Sequence, residues 1–563
     1  MKTFRNLIIL VSILVANSCS EDFLDKPLYN QLNKSIFYDT AEDAHAAIIA
    51  VYDVLGWYGE NVVGAGAVYQ GHLYRIDYSA VDLSHPGGTN SPEGPIELYE
   101  YTLTPNSGVY INRPWEGHYV AIQRANTVLE NVPGIDMDVQ ERETILAEAK
   151  FLRALMYFNL VRMYGDVPYI DYVPTADRLY VTRTDAAEVY EHIIRDLEEA
   201  IPQLPLKWSG LRLGRATTGA AQLLLANVYL TRGGYRLDSK TGDWAKTRDG
   251  AGSENWAKAL EYAQSVIDLG EYSLWQDEDL GSGRLLNAIP GEAGNTDKIR
   301  SGYEANFWTE NDGDMVNGES VFEVQFTSYW PGRWASGPLN QQGSNHNDFD
   351  LPTSLNAVGG VVHYGYNHNS PRPKFVASYE PGDVRKDATI LTPGDTMWLR
   401  QWGENNPGYF VWDGDVGNLL INSGSEGHIV RKWIWGYSDE RESSPVNHIV
   451  LRYAEAYLIK AEALNELGRT GEAFEPLNII RRRAGLPDIS GLSSDELRER
   501  IYEERKFEFA YEIKRYFDAL RSGNLERWVL ADRDVNVQRY HNLLPVPQLA
   551  IDLDPGLTQN FGY

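Results

Sequence analysis

Apolar positions recur at helical spacing in three widely separated stretches of this chain, and one short pattern sits inside each. Ala154-Leu-Met-Tyr157-Phe158, Ala226-Asn-Val-Tyr229-Leu230 and Ala454-Glu-Ala-Tyr457-Leu458 all read Ala-x-x-Tyr-(Phe/Leu). They lie in AEAKFLRALMYFNLVRMYG, TTGAAQLLLANVYLTRGG and LRYAEAYLIKAEALNELG, whose i, i+3, i+4 apolar spacing predicts amphipathic helices. A small residue one turn before a large one lets a neighbouring helix approach and then fills the gap beside it. Each stretch is followed by a second amphipathic segment: AAEVYEHIIRDLEEAI, ENWAKALEYAQSVIDLG and TGEAFEPLNIIRRRAG. A further pair is expected from AEDAHAAIIAVYDVLG and WEGHYVAIQRANTVLENV.

Helix pairs that share a buried face stack on one another. The pairs resemble degenerate tetratricopeptide hairpins, so the predicted fold is mainly α, with scaffold helices over about 41–270 and 447–530. Between about 271 and 446 the texture changes. Gly, Pro, Asn, Asp and Trp dominate, with short strand-like pieces such as SVFEVQFTSYW and HIVRKWIW. This reads as one long irregular lobe inserted into the scaffold, and long loops on a rigid frame are where binding residues concentrate.

The first residues follow another logic. Lys2 and Arg5 precede the apolar run LIILVSILVA, then small and polar residues lead to Cys19, the only cysteine. About ten helical residues span roughly 15 Å, half of a hydrocarbon core of about 30 Å, so the run is a secretory signal rather than a membrane span. A cysteine at the cut site resembles a bacterial lipobox, in which the thiol carries the lipid. Residues 1–18 are therefore expected to be a lipoprotein signal peptide, 19–40 a lipidated tether and 41–563 a single domain.

With one cysteine, disulfides and thiolate metal sites are excluded from the mature fold. The excess of 79 acidic over 51 basic residues, a formal net charge of −28, repels polyanions and argues against nucleic acid as a partner. A local basic patch could still override that global sign. Tyr (35) and Trp (15) outweigh Phe (16), which favours half-wet surfaces, because their rings carry a polar handle. No Gly-x-Ser-x-Gly, His-Glu-x-x-His or P-loop pattern occurs, so no enzyme activity, cofactor or metal is expected. NDGD at 311–314 and DGDVGN at 413–418 read as acidic turns.

In order and spacing, IVLRYAEAYLIKAEALNELG, LNIIRRRAGLP, IYEERKFEFAYEIKRYFDALRSG and LLPVPQLAIDLDPGLTQNFGY resemble the signature of the SusD/RagB family of outer-membrane nutrient-binding lipoproteins. Upstream, Trp115-x3-Tyr119-x2-Ile122-x3-Asn126, AEAKFLRALMYFNLVRMYGDVP, ESVFEVQF and PGDVRKDATIL extend the resemblance from Cys19 to Tyr563. Ile513 stands where the family usually has glycine. The resemblance implies a SusD-like helical surface protein, anchored in the outer membrane through lipid on Cys19, that captures oligosaccharides for a SusC-like TonB-dependent transporter. It also implies a non-catalytic role. The acidic residues after Cys19 resemble the surface-export signal of Bacteroidetes-type lipoproteins. Arg452, Glu462, Arg481, Glu504, Arg505 and Asp518 belong to the signature, and their placement on packed helices predicts buried or half-buried ion pairs.

Sugar rings present C–H faces between hydroxyls, so a glycan site needs flat aromatic platforms flanked by polar side chains. In this family the site draws on the loop after the EVQF-like strand, here Tyr329, Trp330, Arg333 and Trp334 with Trp308 before it, and on an N-terminal loop holding Tyr74 and Asp77. Two tryptophans four apart around an arginine make the platform. Within the same family the alternative is a peptide importer of the RagB type. Outside it, the competing reading is a secreted glycoside hydrolase, which plentiful carboxylates alone do not favour.

Overall fold

A computed structural model describes residues 37–56, 68–69, 73–85, 93–245, 252–276, 301–307, 318–325, 370–399, 408–411, 427–432 and 447–563. The expected hairpins are present. Helix α1 (Ala41–Asp53) is followed by α2 (Leu73–Ala80), α3 (Glu93–Glu100), α4 (Val109–Asn131), α5 (Val139–Tyr164), α6 (Ala186–Ala200), α7 (Thr218–Gly233) and α8 (Gly252–Asp268). Helix α5 packs on α6, α7 on α8, and α4 lies against both α1 and α5. The short α9 (Gly302–Ala305), α10 (Pro373–Ala377) and α11 (Val384–Thr389) follow. Then come α12 (Tyr453–Glu466), α13 (Thr470–Arg483), α14 (Ser494–Glu508), α15 (Arg515–Ser522), α16 (Leu525–Asp532) and α17 (Gln548–Leu553). Helix α12 pairs with α13 and also packs on α8, which joins the two blocks of scaffold helices across the intervening lobe.

Local chemistry sets the helix starts. Thr40 and Asp43 form a reciprocal capping box on α1, Ser493 and Glu496 do so on α14, and Asp138, Asp185 and Thr217 cap α5, α6 and α7. Each side chain satisfies a backbone N–H that the first helical turn leaves open. The Ala-x-x-Tyr pattern then acts as expected: Ala154, Ala226 and Ala454 are fully buried. Tyr157 donates to the carbonyl of Ile170 at 3.0 Å and accepts from its N–H at 2.7 Å. Tyr229 stacks on Tyr262 of α8 with ring centroids 5.8 Å apart. Arg153 of α5 grips Asp196 of α6 through two 2.8 Å bonds and reaches Asn126 of α4 with a third.

Among the described residues, strands pair only as two-stranded antiparallel ribbons. They are β1 (Ser84–His85) with β5 (Ser370–Pro371), β2 (Arg236–Leu237) with β3 (Trp244–Ala245), and β4 (Ser320–Val324) with β10 (His448–Arg452). Two more pair β6 (Ile390–Leu391) with β9 (Ile429–Val430), and β7 (Thr396–Leu399) with β8 (Gly408–Val411). The EVQF-like segment is thus β4, with Val324 opposite His448 and Ser320 opposite Arg452. Because β10 runs directly into α12, β4 is tied to the scaffold at the first residue of a core helix pair.

Buried charge holds this junction. Arg385, Arg431, Lys432, Arg452, Arg481 and Arg483 face Glu304, Glu319, Asp383, Glu504, Glu508 and Glu512, all buried. Six cations against six carboxylates leave the cluster neutral, the condition under which buried charges are tolerated. Six of these twelve, Glu304, Glu319, Asp383, Arg385, Arg431 and Lys432, lie on or beside the lobe's ribbons and short helices, so the network clamps the lobe to α12–α14. The signature pairs are realised as well: Arg505 holds Asp518 at 2.8 Å, Arg481 holds Glu504 at 3.0 Å, and Glu462 takes Arg521 at 2.9 Å. Ile513 has φ of +59° and is almost fully buried. A glycine at that place in relatives has a physical reason, since the left-handed region costs a β-branched residue roughly 1–2 kcal/mol.

Candidate functional site

The chain leaves β4 at Val324–Gln325, heading into the segment where the sequence places the aromatic platform. Tyr329, Trp330, Arg333, Trp334 and Trp308 lie outside the described residues, as does Cys19. A cavity of about 140 Å³ sits beside β4, bounded by Trp208, Arg215, Tyr272, Glu323 and Gln325. Arg212 and Arg215 lie over the Trp208 ring, 5.6 and 5.0 Å from its centroid, within cation–π range. The indole N–H donates to the carbonyl of Ala216 at 2.8 Å, which fixes the ring plane.

Each wall has a structural cause. Arg215 is held by two 2.7 Å bonds to Glu148 of α5, whose carboxylate also accepts from the Tyr52 hydroxyl of α1 at 2.8 Å. Burial raises the Glu148 pKa despite the Arg215 guanidinium beside it. Glu323 points inward from β4 and accepts from Ser320 at 2.8 Å and Asn447 at 2.9 Å, and burial raises its pKa too. The Tyr272 hydroxyl is 3.0 Å from that of Thr217. The result is a rigid cavity with a ring, a cationic rim and amide groups, a combination suited to hydroxyl-rich ligands. Trp208 is not among the residues the sequence points to. Its only signal is an indole in the basic, glycine-containing link KWSGLRLGR between α6 and α7.

Asp77 requires a correction. Expected at a ligand, it is fully buried on α2, and its Oδ1 accepts from the N–H of Tyr516 at 2.7 Å. Helix α15 has no side-chain cap of its own, so Asp77 supplies one from across the core. Tyr74 lies on the same helix, but its side chain is outside the described residues. Burial pushes the Asp77 carboxyl up to about 7, with the Asp518 charge adding to the shift and Arg515 opposing it. A raised carboxyl pKa favours the folded state fully only below the unfolded value, and that contribution disappears as pH climbs through 7. Asp77→Asn keeps an acceptor without the titration. Relative to this variant, the wild type is expected to lose up to about 1.4 kcal/mol per pH unit between pH 4 and 7. Urea midpoints of both proteins at pH 4, 5, 6 and 8 check this; parallel pH curves would contradict it.

Among the described residues no helix is long and apolar enough to cross a membrane, and no group of His, Cys, Asp or Glu side chains could hold a metal ion.

Residues 318–563 match the model of the SusD family, and residues 22–230 match a model described as "Starch-binding associating with outer membrane". The SusD-like protein P2 of Formosa agariphila is 29% identical over 544 residues, covering 93% of this chain and 92% of that one. The starch-binding protein SusD of Bacteroides thetaiotaomicron is 24% identical over 463 residues, 74% of this chain and 72% of its own. A laminarin-binding SusD-like protein of known structure superposes with a TM-score of 0.67 at 25% identity, covering 93% of this chain and all of that one. A mainly helical frame, a β4–β10 junction clamped by the signature charges, and family matches at both ends of the sequence agree: the chain belongs to the SusD/RagB family.

Proposed function

We propose that this protein is a non-catalytic cell-surface lipoprotein that binds oligosaccharides or polysaccharide fragments and delivers them to a SusC-like TonB-dependent transporter. The observation that carries the reading is the match to relatives whose names state starch or laminarin binding, over 74% and 93% of this chain respectively. The geometry supports it. The loop predicted to hold Trp330 and Trp334 continues from β4, whose base is locked by buried ion pairs, and a Trp208 cavity lies alongside. Neutral glycans suit a chain of net charge −28 better than anionic polymers do.

Isothermal titration against a panel of neutral glucans, other neutral oligosaccharides and short peptides tests ligand class, with analysis of the mixtures for shortened products. Binding of at least one glycan without cleavage is expected; binding of peptides alone, or turnover, would overturn the proposal. The anchor is tested separately. With its native leader, the wild type is expected in the outer-membrane fraction and Cys19→Ser in the soluble fraction, since several acyl chains at roughly 0.8 kcal/mol per buried methylene anchor stably. Equal partitioning of the two would remove Cys19 as the lipid site.

A further inference from the structure

A second cleft, of about 230 Å³, lies between the β2–β3 ribbon and the ends of α5, α6 and α15. At its floor is Arg162, in the last turn of α5. Its guanidinium is sandwiched between two rings, 3.9 Å from the centroid of Phe158 and 3.7 Å from that of Phe517. Nε donates to the carbonyl of Phe158 at 3.1 Å and Nη2 to Asn159 at 2.5 Å. Nη1 donates to nothing among the described residues, and no carboxylate there pairs with Arg162.

That isolation stands out against the rest of the cleft. Arg521 is taken by Glu462 and Asp518, Arg232 by Glu191 at 2.7 Å, and Arg236 lies 3.5 Å from Asp185. The carboxylates that act on Arg162 from a distance are already committed, Asp518 to Arg505 and Arg521 and Glu455 to Lys514. Burial lowers the Arg162 pKa to about 10, so the group is still a cation at neutral pH. In a chain with 79 acidic residues, none of the described carboxylates serves this cation as a counter-ion. Ring faces offset only part of the cost of desolvating it.

Two further features define what would complete the site. Asn542, a residue 6% exposed, lines the cleft, and its Oδ1 has no hydrogen-bond donor among the described residues. Tyr190, Tyr235 and Trp244 supply flat apolar walls. An anion, a hydroxyl donor and a ring-shaped body are thus wanted together, in a volume below the roughly 300–1,000 Å³ of drug-sized sites. We propose that this cleft binds a hydroxylated cyclic carboxylic acid of single-sugar size, its carboxylate accepting from Arg162, a hydroxyl donating to Asn542 and its ring against the aromatic walls. The proposal does not depend on the glycan platform beyond β4.

Glucuronate and galacturonate are the probes, with glucose, galactose and sodium sulfate as comparators, titrated into the mature protein. Saturable binding of a uronate at least tenfold tighter than its neutral sugar is expected. It should be abolished in Arg162→Met and in Ala187→Phe, which fills the mouth of the cleft from an exposed position in the first turn of α6 and should leave the melting temperature unchanged. Trp330→Ala/Trp334→Ala should bind the uronate normally. Equal binding of acid and neutral sugar, binding of sulfate as tight as the uronate, no binding of either uronate, or undiminished binding in a folded Ala187→Phe would each overturn the proposal.

Discussion

Arg452→Met is expected to destabilise the protein by about 3–5 kcal/mol, the range for removing one partner of a buried ion pair. Arg452 touches Glu319, Glu508 and Glu512 at once; Glu508 lies 2.6 Å away, and the contact with Glu319 is shorter still. Removing it leaves six buried carboxylates facing five cations. Burial alone would raise the Glu508 pKa, but Arg483, Arg452 and Arg385 outweigh burial and hold it well below the usual carboxylate range. Depressed carboxyl pKa values add stability above the unfolded value that is lost as pH falls. The variant's acid-unfolding transition should therefore move to higher pH as well. Urea denaturation at pH 7 checks the magnitude. Arg469→Met is the control, because its partner Glu472 is exposed and such a surface pair is worth about 0–1 kcal/mol. Equal midpoints for the two variants would show that the cluster adds nothing beyond a surface pair.

Trp330→Ala/Trp334→Ala is expected to abolish measurable glycan binding while leaving the fold intact. Truncating an aromatic hot spot costs on the order of 2 kcal/mol, about 30-fold in affinity. Two such losses on one ligand take a micromolar interaction towards the millimolar range. Isothermal titration with the glycan selected from the panel measures the loss, and an unchanged melting temperature separates it from unfolding. Trp208→Ala is the discriminating companion. If the double variant binds normally and Trp208→Ala does not, the ligand occupies the described cavity beside β4 instead of the loop beyond it.

The helical hairpins were legible because their cause is local. Ala154–Tyr157, Ala226–Tyr229 and Ala454–Tyr457 state a helix face within four residues. The buried pairing of Arg452, Glu504, Arg505 and Asp518 was legible too, because so many charges on one run of packed helices have few other ways to be satisfied. Partner choice was not. That Arg452 would take Glu319 from the lobe, across a separation of 133 residues, depends on β4 lying against β10.

The same distinction explains why Asp77 is not where the sequence reading puts it. Asp77 sits among Tyr74, Arg75 and Tyr78, a composition that reads as a ligand loop, yet the open amide it satisfies belongs to Tyr516, 439 residues away. Trp208 carries no motif, and Arg162 lies in a family-like helix segment that gives it no role. What distinguishes them is a cavity beside one and, among the described residues, the lack of a counter-ion beside the other, and both are properties of neighbours brought in by folding. From sequence alone came the helical periodicity, the charge-rich signature and the family, because each is written in short-range spacing or order along the chain. Which carboxylate faces inward, which ring borders a void and which cation lacks a partner were decided only in the tertiary structure, since burial and electrostatic compensation are sums over residues distant in sequence.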